Sequence, residues 1–248
     1  MLQLRGISKS FGAVQALSGV DFEVYAGEVV ALVGDNGAGK STLVKTIAGI
    51  NIADSGEIWF EGRHVSIHGP REPAALGIAT VYQDLALCDN LDVVANLYLG
   101  REEVAPPLAL ISEEQMEKRA RDVLLSLDVK IPNPRNAVAA LSGGQRQSVA
   151  VARSVMWKAK VVMLDEPTAA LGVQQTKQVL ELVLRLRNQG IGVIVISHNL
   201  ANVFEVADRI IVLRLGRRVG TFETKASSEE AVVGAITGAE FGKFAPQV

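Results

Sequence analysis

The segment Gly34-Asp35-Asn36-Gly37-Ala38-Gly39-Lys40-Ser41, followed by Thr42, constrains this chain more than any other stretch. It has the form G-x-x-x-x-G-K-[ST]. An apolar run at residues 28–33 precedes it and a helical pattern at about 41–48 follows it, with Gly49 as a stop. Glycines at these spacings let several backbone N–H groups turn toward one point, and the helix start adds the positive end of its dipole. The resulting cradle suits a phosphate chain: Lys40 is placed to reach the terminal phosphates and the Ser41 hydroxyl to ligate Mg²⁺. By residue frequency, the four fixed positions match by chance in about 1 in 100 chains of this length. The flanking strand and helix argue against a mere Gly-rich turn.

A strand–loop–helix unit of this kind belongs to an α/β architecture with a mostly parallel sheet, and the rest of the chain agrees. Strands are expected at 2–4, 20–24, 78–82, 161–164 and 192–197, with hairpins over 56–66 and 210–222. Helices are expected at 144–158, 173–188, 200–206 and 228–236. From about 91 to 127 the pattern reads as helical, with Ser112-Glu113-Glu114-Gln115 as a capping box. The alternation lapses between about 84 and 156, which marks an inserted helical subdomain in a core of about 1–83 and 157–222, followed by a tail of about 223–248. The whole is read as one domain of 248 residues.

Composition narrows the partners. The net charge is −2 and no Lys/Arg run occurs, which gives no footprint for nucleic acid. The single cysteine, Cys88, excludes an intramolecular disulfide and fits a reducing cytoplasm. Met1-Leu2-Gln3-Leu4-Arg5 has no secretory pattern, and no apolar run reaches the ~18–20 residues of a membrane helix. If the protein serves a membrane, another chain is expected to cross it. The mean hydropathy of +0.24 leaves room for an apolar surface that meets a partner.

Two further motifs bear on chemistry. Val161-Val162-Met163-Leu164-Asp165-Glu166 is an apolar strand that delivers two carboxylates to the sheet edge: Asp165 to bind Mg²⁺, Glu166 to polarise an attacking water as general base. Leu141-Ser142-Gly143-Gly144-Gln145 offers a hydroxyl and bare N–H groups at a helix start, again suited to an anion.

Together these three motifs identify the chain as similar to the nucleotide-binding subunits of ABC transporters, to about residue 222. The resemblance implies a P-loop ATPase fold with an N-terminal antiparallel β part and the helical insert, and an ATPase that uses ATP and Mg²⁺. It also implies roles. Phe11 matches the aromatic that stacks on adenine, though an aromatic in a strand alone also reads as core. Gln83 matches the glutamine that contacts Mg²⁺ and the attacking water, though it could be a polar strand end. Ser142, Gly143, Gly144 and Gln145 match the signature that closes over ATP held by a second copy, which implies a homodimer. His198 matches the histidine at the γ-phosphate, though a lone histidine can also be a cap or a core residue.

One position departs from the family: Ala169-Ala170-Leu171-Gly172 stands where Ser-Ala-Leu-Asp is common, so an Asp that helps link the two nucleotide sites is absent. Residues 77–87, 96–101 and 196–200 resemble the ATPases of bacterial monosaccharide importers of the ribose, xylose and fructose type. Many of those carry two nucleotide-binding halves in one chain, whereas this one has a single half. The resemblance implies transmembrane permease subunits as partners, a sugar-binding receptor as an indirect one, no nucleic acid, and a peripheral place on the cytoplasmic face of the membrane. The competing readings are an ATP-binding regulator, suggested by Gly172, and a non-transport relative, which the absence of sustained heptads disfavours.

Overall fold

The computed structural model describes residues 1–105 and 110–239. Two sheets form its centre. The first is antiparallel: β1 (Leu2–Phe11), β2 (Val14–Val24), β4 (Ser55–Phe60) and β5 (Arg63–Val65), in the order β2-β1-β4-β5. The second joins β3 (Val29–Val33), β6 (Ile78–Val81), β9 (Val161–Asp165), β10 (Gly192–Ile196), β11 (Arg209–Arg214) and β12 (Arg217–Glu223) in the order β12-β11-β3-β10-β9-β6. Every neighbour pair in it is parallel except the β11–β12 edge hairpin.

Period-two alternation explains how this second sheet is buried on both faces. Val29, Ala31 and Val33 of β3, with Val162 and Leu164 of β9 and Val193 and Val195 of β10, face a helical layer. Val30, Leu32, Val161, Met163, Ile194 and Ile196 face the other way, toward α1 (Lys40–Ile47) and the antiparallel sheet. The helical layer holds α5 (Gly143–Met156) and α6 (Val173–Asn188), and α7 (Leu200–Val206) contributes Leu200, Val203 and Val206 to the same core.

Between β6 and β9 the described chain adds no strand to either large sheet. It forms α3 (Val93–Tyr98), the two-residue strands β7 (Val104–Ala105) and β8 (Leu110–Ile111), and α4 (Glu113–Ser126), and both α3 and α4 pack on α5. This corrects the expectation of helix throughout 91–127. Helix α3 stops at Tyr98 because Gly100 takes a φ of 73°, and a hairpin then precedes α4. The expected capping box at Ser112 is also absent: Ser112 is the N-cap of α4 but its hydroxyl makes no cap bond. Instead its backbone N–H is spent on the Glu103 carbonyl at 2.8 Å, which ties the helix start to the hairpin. One helix was not expected at all, α2 (Arg71–Leu76). At the C-terminus α8 (Glu229–Thr237) follows β12, and residues 240–248 of the expected tail lie outside the described residues.

Candidate functional site

The phosphate loop leaves the end of β3, and two of its glycines are held by close neighbours. Gly34 takes a φ of 150°, and a Cβ there would lie 2.2 Å from the Leu213 carbonyl of β11. Gly39 takes a φ of 105° directly before α1, with the Ala16 carbonyl 2.7 Å from the place of its Cβ. The loop between them is tied to β12's turn, where the Gly216 N–H donates to the Ala38 carbonyl at 3.0 Å. Helix α1 opens without a side-chain cap and without an acidic residue in its first turn, so its free N–H groups suit an anion. The Lys40 ammonium meanwhile donates to the carbonyls of Gly34 (2.7 Å) and Asp35 (3.0 Å), bridging the mouth of the loop.

Asp165 and Glu166 stand two strands away, across β10 from β3. Asp165 ends β9 in register with Ile196 of β10. Glu166 then turns with a φ of 49°, unusual for a residue with a side chain, and its N–H is held by the Ile196 carbonyl at 2.9 Å. That turn brings Glu166 Oε1 to 2.8 Å from His198 Nδ1. His198 is 76% exposed and Glu166 18%, so neither is a core residue. A second tie joins the two loops: Asn202 of α7 donates to the Thr168 hydroxyl at 3.1 Å.

Charges in this corner sense one another. Burial raises the pKa of Asp165, the Glu166 carboxylate raises it further, and Lys40 and Lys45 pull it back. Burial lowers the pKa of Lys40, and Glu166, Asp35 and Asp165 oppose that. A carboxylate with a raised native pKa costs stability when ionised. The cost is full above the native pKa and fades as pH falls through it toward the unfolded value. Asp165→Asn is therefore expected to melt above wild type at pH 7 without ligands, with the gap closing toward pH 4. Thermal denaturation against pH checks this, and a variant that melts lower at pH 7 would count against the strained carboxylate pair.

Excess negative charge beside oxygen donors fits a hard divalent cation: Asp165 and Ser41 are close to the loop, and Gln83 follows β6, the strand that pairs with β9. Gln83 is exposed after Val81. Phe11 is 49% exposed at the end of β1, with Lys9 Nζ 5.6 Å from its ring centre, so the core alternative for it fails.

Ser142 caps α5. Its hydroxyl accepts from the Gln145 N–H at 3.3 Å, and Gln145 Oε1 accepts from the Ser142 N–H at 3.0 Å. No hydrogen bond or ion pair among the described residues joins this segment to residues 34–42 of the same copy. Its glycines also serve packing that the sequence did not disclose: a Cβ on Gly143 would meet Leu171 Cδ2 at 2.9 Å and one on Gly144 would meet Gln175 Cβ at 3.1 Å. Gln175 in turn accepts from the Gly172 N–H at 3.4 Å, at the N-terminus of α6. Gly172 caps that helix without a side chain.

Comparison with known proteins adds four likenesses. A family model described as ABC transporter matches residues 17–169. The xylose/arabinose import ATP-binding protein XylG of Sulfolobus acidocaldarius is 46% identical over 98% of this chain and 96% of its own length. The fructose import ATP-binding protein FrcA of Rhizobium meliloti is 46% identical over 97% of this chain and 95% of its own. Among solved structures, the dimer of an ATP-binding cassette in a post-hydrolysis state with ADP and phosphate superposes with a TM-score of 0.76 at 26% identity, covering 90% of this chain and 99% of that one.

Proposed function

Because the chain belongs to the ABC transporter family and is an ATPase of it, we propose that it powers the uptake of a simple sugar through a separate permease, as a homodimer with two composite sites. The observation that carries the reading is the meeting of Lys40, Asp165, Glu166 and His198 at the carboxyl ends of β3, β9 and β10, three strands in a row. The relatives named for xylose/arabinose and fructose import supply the substrate class.

In this reading the backbone N–H groups of residues 34–42 and Lys40 hold the phosphates of ATP, and Lys40 exchanges the Gly34 and Asp35 carbonyls for phosphate oxygens. Phe11 offers an exposed face to the adenine. Ser41, Asp165 and Gln83 would hold Mg²⁺, which would offset the negative charge of the phosphates. Glu166, turned out by its left-handed backbone, orients a water and accepts its proton, and His198, beside it at 2.8 Å, is the residue that meets the γ-phosphate. Ser142 and the N–H groups of Gly143 and Gly144 close over the nucleotide of the second copy. The separation of this signature from the phosphate loop within one copy supports that arrangement, as does the dimeric cassette with ADP and phosphate.

The permease side is assigned to a cleft of about 460 Å³ between the core and the helical insert, lined by Ile50, Tyr82, Leu97, Leu99, Arg101 and Trp157. Tyr82, the residue before Gln83, lines it, and Ile50 and Leu99 are about half exposed, which suits a cytoplasmic helix with an apolar face. No described helix is long and apolar enough to cross a membrane. Cells deprived of this chain are expected to lose ATP-driven uptake of a pentose or hexose while other nutrients enter normally. Unaltered uptake of xylose, arabinose, fructose and ribose would move the substrate out of this class.

A further inference from the structure

After Gln83 the chain takes no regular structure until α3, yet it is held at many points. Asn96 of α3 is wholly buried. It accepts the Cys88 N–H at 2.7 Å and donates to the carbonyls of Cys88 (3.0 Å) and Leu91 (3.3 Å). The short turn before Ser142 adds two more ties, from the Ala139 N–H to the Asp89 carbonyl at 3.0 Å and from the Val138 N–H to the Leu91 carbonyl at 2.9 Å. These bonds fix the far half of the segment, residues 88–91.

The near half, next to Gln83, is gripped by Arg153 of α5. Its Nη1 donates to the Ala86 carbonyl at 2.9 Å and its Nη2 to the Leu85 carbonyl at 3.2 Å. Ala86 has a φ of 49°, a conformation that a residue with a side chain keeps only when its surroundings impose it. Among the described residues no carboxylate pairs with Arg153. Burial lowers its pKa. An arginine taken partly out of water without a counter-ion is used here for its fork of donors, which matches two successive carbonyls.

We propose that Arg153 is a positioning residue for Gln83: it ties the segment that follows Gln83 to the helix that begins at Ser142. Arg153 lies eleven residues from Ser142, about 16 Å along the same rigid helix. Closure of the signature over a nucleotide thereby pulls on the loop that carries Gln83, and displacement of that loop pulls on the signature. The proposal rests on the reading of Gln83 as a ligand of the nucleotide site.

The test uses the whole chain, with Arg153→Met, which keeps the apolar stem and loses the donors, and Arg153→Lys, which keeps one cationic donor group. Steady-state phosphate release gives kcat and KM. Arg153→Met is expected to lower kcat about tenfold with KM for ATP within about twofold, since misplacing a reacting group by a fraction of an ångström costs on that scale. Arg153→Lys is expected to fall between wild type and Arg153→Met.

A wild-type kcat in Arg153→Met, beside a wild type that hydrolyses ATP, overturns the proposal and leaves the assignment of the site standing. Equal losses in both variants that follow a fall in melting temperature would also overturn it, in favour of a packing role. A wild type that hydrolyses no ATP sinks the site assignment itself, and the proposal with it.

Discussion

Glu166→Gln is expected to lower kcat for ATP hydrolysis by about 10²–10⁴-fold, the range associated with loss of a general base. The substitution keeps the side chain's shape and an oxygen that can still meet His198, now 2.8 Å away in wild type. It removes the negative charge that raises the pKa of Asp165. ATP binding is therefore expected to persist and even to strengthen, since one anion fewer faces the triphosphate. Single-turnover phosphate release together with equilibrium nucleotide binding separates the two effects. Turnover near wild type would remove Glu166 from the role of base. A joint loss of binding and turnover would make it a structural residue of the β9 turn.

The second large effect concerns the fold under the site. Gly34→Ala is expected to destabilise the protein by about 3 kcal/mol or more, because overpacking and a forbidden backbone conformation coincide there. The added Cβ would sit 2.2 Å from the Leu213 carbonyl and 3.1 Å from Ala38 Cβ. The carbonyl belongs to β11, which is paired on both sides and cannot move alone. At this chain length each kcal/mol shifts the melting temperature by about 2–4 °C, so a fall of roughly 6–12 °C is expected. Gly62→Ala is the control: Gly62 also has a positive φ, 77°, but nothing lies within 4 Å of the added carbon, and the cost should stay near 1 kcal/mol. Equal melting temperatures for the two variants would mean that the loop can yield.

These effects show which parts of the molecule were legible in the sequence. The strand–loop–helix unit around residues 34–41 was, because the motif is eight consecutive residues and its strand and helix flank it directly. So was the Asp165–Glu166 pair, since one apolar strand fixes where both carboxylates emerge. The Glu166–His198 contact was not derivable from spacing, because it depends on β9 and β10 being neighbours and on a left-handed residue at the strand end. The resemblance supplied His198, Gln83 and Phe11, and the structure adds that Phe11 is too exposed to be core.

Arg153 and Asn96 were invisible for a different reason. Both bond to backbone carbonyls, which leave no trace in residue identity, and Arg153 reaches 67 residues back along the chain. Helix α2 was missed because Pro70 and Pro73 read as breakers. They sit at its N-cap and first turn, where a missing N–H costs little. The hairpin of β7 and β8 was read as helix because an apolar run broken by prolines carries no clear period.

The central claim is an ATPase whose sites are completed by a second copy of the chain. Phosphate release per chain from the purified protein with ATP and Mg²⁺, measured across a wide range of protein concentrations, tests it most directly. The rate per chain is expected to climb with concentration to a plateau, and to lie about 10²–10⁴-fold lower throughout in Glu166→Gln. No release at any concentration, or a constant rate from protein that sediments as a monomer, would contradict it.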